Sequence, residues 1–188
     1  TCIGDRGPHS VVCGPNEKSL ANLSAIASLI SYPNSAIYSF LDRGSDERQY
    51  CSPNVNLDYC TLTRSKWGTY PEYHTSLDNL TLLSEDSLQE SFQRVLSIIK
   101  TFEKGCLVSS TTTCEPFLSR YGLYRTLSLP QHDKNERQFS DLLAYASHGS
   151  NLFELALNLN IPLDTINRLS QILESHGLLE CCHLEVAT

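Results

Sequence analysis

His74 stands in the stretch Tyr70-Pro71-Glu72-Tyr73-His74-Thr75-Ser76-Leu77-Asp78, followed by a small hydroxyl residue and, four positions on, by an aspartate. A neutral imidazole is a good metal ligand, and a nearby carboxylate can orient a ligand or cap a helix. The pattern predicts a ligand where a loop enters a helix, although a loop histidine bonded to backbone has the same residue types. Upstream lies a second polar cluster, Asp42-Arg43-Gly44-Ser45-Asp46-Glu47-Arg48-Gln49-Tyr50. Asp46 or Glu47 could orient a ligand or cap a helix. Arg43 and Arg48 could clamp a carboxylate through paired donors, or neutralise their acidic neighbours. Trp67, Tyr70 and Tyr73 supply either a pocket wall or surface packing. Together these residues read as one wall of a metal-dependent hydrolase site, with the remaining wall outside the sequence.

The elements expected to carry that wall alternate. Leu20, Leu23, Ile26, Ala27 and Ile30 recur at helical spacing over residues 17–31. Ala36 to Leu41 reads as a short buried strand ending at the acidic cluster, and ligands bind at the C-terminal ends of strands in open α/β sheets. Val55 to Leu62 reads as a second strand, with Val55, Leu57, Tyr59 and Thr61 on one face. Ser84 suits an N-cap, and Glu85 and Asp86 suit the first turn of a helix. The expected inner face of that helix is Leu88, Phe92, Val95, Leu96, Ile99 and Phe102, and Gly105 is its stop. Strands alternating with helices indicate an α/β layer architecture.

From Cys106 to Asn135 the periodicity is lost, and Ser/Thr runs and Pro130 read as a connecting segment. Three short helical patterns follow: one with Phe139, Leu142, Leu143 and Tyr145, one from Ser150 through Leu157, and one from Pro162 to Ser175 before Gly177. Leu178 to Cys182 reads as a closing strand, so the tail resembles a winged helix-turn-helix. From Pro130 onward three basic side chains (Lys134, Arg137, Arg168) face eight acidic ones. Only Arg168 lies on the third helix, too little to dock on a polyanion, so a protein contact or dimerisation is expected instead of nucleic acid.

The whole chain of 188 residues carries a formal charge of -7, and 40% of it is hydrophobic. That suits a soluble globular protein without a basic nucleic-acid footprint. No apolar run approaches the roughly 20 residues of a membrane span, and no signal peptide is visible. The sequence opens on Thr1 and has no methionine, as a fragment or processed chain would. Cys2, Cys13, Cys51, Cys60, Cys106, Cys114, Cys181 and Cys182 form no C-x-x-C pair, so reduced thiols and a cytoplasmic location are expected.

Asp42 through Pro53 and Gly68 through Asp78 resemble a bacterial aminopeptidase-like family catalogued as having a domain of unknown function. That family is similar to the co-catalytic zinc aminopeptidases, and its members end in a winged helix. Gly122-Leu123-Tyr124 fits as well, and the resemblance covers nearly the whole chain. It implies an α/β fold: the C-terminal half of a zinc-aminopeptidase-like three-layer domain at 1–105, a connecting segment at 106–135 and a small winged helix-turn-helix domain at 136–188.

In such enzymes a late histidine in a His-Thr-x-x-Asp setting closes the metal site, and His74 matches it residue for residue. A Ser-Asp-His motif is similar to Ser45-Asp46-Glu47, with glutamate replacing histidine. Glu47 is thereby left open as a substrate contact, a ligand or a group that orients one. Cys2-Ile3-Gly4-Asp5 falls near the place of another acidic ligand. The remaining histidine, aspartate and catalytic glutamate would lie upstream of Thr1. The implied site has Asp46 and Glu47 as catalytic residues, Arg43, Arg48 and Tyr73 for substrate and His74 on zinc. The implied reaction is hydrolysis of a peptide or amide bond, with this chain inactive alone. A homo-oligomer is compatible with this reading, and a non-catalytic binding or assembly module is its alternative.

Overall fold

The structure is a computed structural model that describes residues 2–123, 134–146 and 149–183. The chain divides into two compact units, residues 1–98 and 99–188. In the first, β1 (Ser10–Val12) is followed by α1 (Leu20–Ala27), β2 (Ala36–Tyr38), α2 (Glu47–Tyr50), β3 (Thr61–Thr63) and α3 (Glu85–Glu103), whose last turn enters the second unit. The sheet order is β2-β1-β3. β1 runs parallel to β2, pairing Ser10 with Ala36 and Val12 with Tyr38, and antiparallel to β3, pairing Ser10 with Thr63 and Val12 with Thr61.

Local chemistry sets several of these boundaries. The Ser19 side chain caps α1 by accepting from Asn22 N–H, and the helix tightens into a 3-10 turn at Ser28–Ser31. The expected strand at 36–41 stops at Tyr38, because Ser39 and Asp42 form a reciprocal cap on a 3-10 turn at Phe40–Asp42. It is an edge strand, not a buried one: Ile37 is 56% exposed. The strand expected at 55–62 is confined to Thr61–Thr63. Val55 and Leu57 are exposed, and Asn56 sits at φ 48 between them. The amides of Val55 and Asn56 both donate to Ser52 O, so this stretch is a turn.

The helix expected from Ser84 to Gly105 is α3, turned over. Leu88, Phe92, Val95 and Ile99 are exposed at 43%, 58%, 40% and 46%. The buried face instead carries Ser87, Ser91, Arg94, Ser97, Ile98 and Thr101. Arg94 accounts for the inversion. Its Nη1 donates to Ser10 O at 3.2 Å and to Thr63 O at 3.4 Å, its Nε to Ser28 Oγ at 2.9 Å and its Nη2 to Ala25 O at 3.5 Å. One guanidinium thus binds β1, β3, α1 and the turn after α1. Burial pulls it down to about 10, so it stays charged at neutral pH. Ser91 Oγ, on the same face, donates to Ile3 O at 2.7 Å.

The second unit has a sheet in the order β5-β4-β6. It holds β4 (Leu107–Ser110), α4 (Lys134–Tyr145), β5 (Ser150–Asn151), α5 (Leu152–Leu159), α6 (Leu163–Ser175) and β6 (Leu179–Cys182). β4, in the stretch expected to be a connecting segment, is its central strand, antiparallel to both neighbours. Pro130 and Tyr124 lie outside the described residues. The three helical patterns appear as α4, α5 and α6, but the second starts at Leu152, because Ser150–Asn151 pair as β5, and Tyr145 on the first is exposed. Leu142, Phe153, Ile166, Leu169 and Leu173 are buried among them. Pro162 is the N-cap of α6 rather than its first helical residue. The end of α3 packs here, with the Phe102 and Phe153 rings 4.8 Å apart and Asn167 Nδ2 donating to Thr101 Oγ1 at 2.7 Å. Gly105, at φ 90, lies so close to β6 that a Cβ would stand 2.6 Å from Cys182 O. The fold is mixed α/β with a winged helix at its C-terminal end. Among the described residues no helix is long and apolar enough to cross a membrane.

A second cation beside the sheet gives a titratable handle on stability. Arg64 Nη1 donates to His9 Nε2 at 3.0 Å and to Glu90 Oε2 at 2.8 Å. His9 is 3% exposed and packs on the Tyr32 ring at 4.1 Å. Burial, then the Arg64 and Arg94 charges, pull its imidazole down from 6.5 to about 4, against the opposing pull of Glu90. A base depressed in the folded state takes its proton first in the unfolded chain, so its contribution is complete above pH 6.5 and is lost toward pH 4. We expect wild type to lose about 3 kcal/mol more stability across that window than His9→Gln, measured by urea unfolding.

Candidate functional site

The acidic cluster is organised by Glu47. Its side chain is fully buried at the start of α2. Oε1 accepts from Gly44 N–H at 2.6 Å and Ser45 N–H at 2.9 Å, and Oε2 accepts from the Thr61 hydroxyl at 2.9 Å. Burial pushes this carboxyl up, while the Ser45 and Gly44 amides and the Thr61 hydroxyl pull it down, and it ends below its ordinary value. Glu47 is therefore an ionised clamp that ties the 44–47 loop to β3. A group held this way is a poor proton acceptor at neutral pH.

The other cluster residues face solvent. Asp46 is exposed and makes no side-chain capping bond. Arg43 lies over the Phe40 ring at 4.9 Å and donates from Nη1 to Phe40 O at 3.3 Å. Arg48 donates from Nε to Ser45 O at 3.4 Å. Each arginine keeps further donors free for an anionic group. At Gly44 the Trp67 indole packs so closely that no Cβ would fit, which sets the first cluster against the residues just before the second. Lys66 Nζ lies 5.2 Å from the centres of both the Tyr38 and Trp67 rings.

His74 projects from a series of turns rather than from a helix entrance. Thr75 N–H donates to Glu72 O at 3.0 Å and Asp78 N–H to Thr75 O at 3.1 Å. His74 sits at φ 59, exposed, with its ring stacked on Tyr73 at 3.9 Å. Asp78 caps nothing: Asn79 caps the 3-10 turn at Leu80–Leu82. Tyr73 also meets the Tyr70 ring edge-on at 5.7 Å. Tyr70 O–H donates to Cys2 Sγ at 3.4 Å. Burial pushes the Tyr70 phenol up, the Cys2 hydrogen bond and charge add to it, and the Asp78 and Asp5 charges add less.

Asp5 is the residue that sequence patterning only grazed. It is 5% exposed, and its Oδ1 accepts from Ser65 Oγ at 2.6 Å and Gly7 N–H at 2.7 Å. Its Oδ2 is buried without a hydrogen-bond partner. A carboxylate oxygen left unpaired in the interior is costly unless something charged completes it. Cys2, Tyr70, Tyr73 and His74 form one chain of contacts in the first unit, and Asp5 acts on it through its charge on the Tyr70 phenol. Among the described residues no group of three or more His, Cys, Asp or Glu side chains converges as a metal cage.

Known proteins align with both units. Residues 1–105 match a family described as a domain of unknown function (DUF4910), and residues 106–181 match a winged helix-turn-helix family. A Clostridium acetobutylicum protein named for polysaccharide biosynthesis and an aminopeptidase-like domain is 40% identical over 89 residues, which is 47% of this chain and 20% of that protein. A crystal structure from Clostridium acetobutylicum, of a protein named as a peptidase, superposes with a TM-score of 0.79 at 26% identity. It covers 96% of this chain and 40% of its own. The chain thus spans well under half the length of these relatives.

The Glu47 clamp predicts an asymmetry between adjacent acids. Glu47→Gln removes the charge and sets an NH2 donor against either the Gly44 and Ser45 amides or the Thr61 hydroxyl, and is expected to cost about 2 kcal/mol. Asp46→Asn is expected to stay within about 0.5 kcal/mol of wild type. Chemical denaturation reads both, and amide exchange at Gly44 and Ser45 should speed up only in the first.

Proposed function

We infer a function for a chain that belongs to the DUF4910 family: it is one portion of a zinc-dependent aminopeptidase-like hydrolase acting on peptide or amide bonds. The observation that carries this reading is the unpaired Oδ2 of buried Asp5, whose charge acts on the Tyr70 phenol beside the Tyr73–His74 stack. The residues fit part of a metal site. Asp5 Oδ2 offers a carboxylate oxygen with no competing donor, and His74 offers an accessible imidazole. A catalytic zinc takes about three protein ligands, so the reading places the other donors on polypeptide that this chain does not contain. Alone, the chain is then inactive.

When bound, zinc would polarise the scissile carbonyl and lower the pKa of a water. The chain's own residues have other tasks. Ser65 and Gly7 aim the Asp5 carboxylate by holding its other oxygen. Tyr73 shapes the wall against which His74 lies. Arg43, Arg48 and Asp46 present free charge at the rim, suited to a substrate's carboxylate and amino terminus. Glu47 acts as a positioning residue for the loop bearing them. The winged helix serves a protein contact, because its sequence is acidic where a polyanion would need bases. The compartment implied by the free thiols is cytoplasmic.

One observation favours the non-catalytic alternative: Glu47, which takes the place of a histidine in the Ser-Asp-His motif, has both oxygens engaged within the chain. Metal content separates the two. The full-length natural protein is expected to carry close to stoichiometric zinc and to release amine from an aminoacyl anilide. Asp5→Asn and His74→Ala should each lower zinc affinity by more than about tenfold. Zinc retained in both variants would reject these ligands, and absence of zinc from the full-length protein would favour the binding module.

A further inference from the structure

Continuing the β1–β3 register one residue beyond Val12↔Thr61 sets Cys13 opposite Cys60. The Cys13 backbone faces β2, because its N–H donates to Tyr38 O at 3.0 Å. Arg64, which shares the orientation of Cys60 in β3, turns its N–H away from β1 to Cys2 O at 2.8 Å. Cys13 and Cys60 are therefore a non-hydrogen-bonded pair, the kind whose side chains approach most closely, with Cα atoms about 4.5 Å apart. Disulfides bridge Cα separations of roughly 4.4–6.8 Å. Both side chains emerge on one face, against Val11, Ala25 and Leu29. The pairing persists at this end of the sheet, since Tyr59 O approaches Gly14 too closely for any Cβ. Neither cysteine is in a disulfide and both are half-buried; the Cys60 thiol donates to Ala21 O at 3.3 Å, on the α1 side of the sheet where Cys13 also packs.

We propose that Cys13 and Cys60 are a cross-strand thiol pair that closes to a disulfide by exchange with a small-molecule disulfide of the glutathione class. The Cys13 thiolate attacks one sulfur of oxidised glutathione, whose S–S bond breaks to release one glutathione thiolate. Cys60 gives its proton to that thiolate and attacks the Cys13 sulfur. The mixed disulfide breaks, and the second glutathione leaves as a thiolate that takes the proton Cys13 gave up. Two protein thiols and one small disulfide become one protein disulfide and two small thiols. Cys13 leads because burial pushes Cys60 up to about 12 and raises Cys13 less far. Cys51, the third thiol nearby, is directed to Tyr59 O at 3.6 Å and Leu57 O at 3.8 Å and has no partner across the strands. The bond would fasten β1 to β3 one residue from Thr61, the hydroxyl that holds Glu47.

Peptide mapping tests this on the intact chain treated with oxidised glutathione and then alkylated. Trypsin separates residues 7–18, which hold Cys13, from 49–64, which hold Cys51 and Cys60. The expected product joins these peptides through Cys60, leaves Cys51 alkylated and forms roughly tenfold faster per pH unit as thiolate accumulates. Cys13→Ser and Cys60→Ser should each abolish it, and unchanged circular dichroism establishes that each variant is folded; Cys13→Ala replaces a serine variant that is not. Linkage through Cys51, Cys114 or Cys182, glutathione left in place on Cys13, or no linked peptide would each overturn the proposal.

Discussion

The first unit depends on a buried cation bonded only to neutral oxygens. Arg94 takes its partners from Ser10, Thr63, Ala25 and Ser28, and among the described residues it forms no ion pair. Burying a guanidinium is tolerable only where enough acceptors replace its water. Here the acceptors come from two strands, a helix and the turn after it, so the cost is offset only when all four stand in one arrangement. An apolar face could slide on such a short sheet, whereas a bonded arginine fixes both the rotation and the axial position of α3.

That constraint explains why some of the fold was legible in the sequence and some was not. Ser84, the acidic first turn and Gly105 mark the limits of α3 through local chemistry, and local chemistry survives in any tertiary setting. Which face is buried is not local. Leu88, Phe92, Val95 and Ile99 follow the usual rule for an inward stripe, and Arg94 overrides it with contacts to residues 31 to 84 positions away. The strands were harder still. Ser10–Val12 is three residues long and Thr61–Thr63 likewise, too short for alternation to rise above neighbouring turns. In the second unit the three helices are long enough, and apolar enough on one side, for spacing alone to locate them.

The site shows the same division. Residue types were legible: an imidazole in a hydroxyl- and carboxyl-rich setting, and acids beside arginines. Their commitments were not. Glu47 and Asp5 are both buried carboxylates, yet three donors satisfy both oxygens of Glu47, while Asp5 keeps one oxygen unpaired. Nothing in the immediate neighbours of either residue encodes that difference. It arises from Thr61 and Ser65, 14 and 60 residues distant in sequence. The unpaired oxygen is the feature with chemical consequence, and it belongs to the residue with the weaker sequence signal.

The close approach of Gly105 to Cys182 bears on inheritance. The two families matched by this chain meet between residues 105 and 106, whereas the compact units part between Ile98 and Ile99. The last turn of α3 is thus descended with one module and folded with the other. A recombination event that cut at the boundary between the families would strip the winged helix of Thr101, Phe102 and the glycine that admits its final strand. The two modules are separable as ancestry but not as graftable parts, and chimeras should be joined upstream, within the helix.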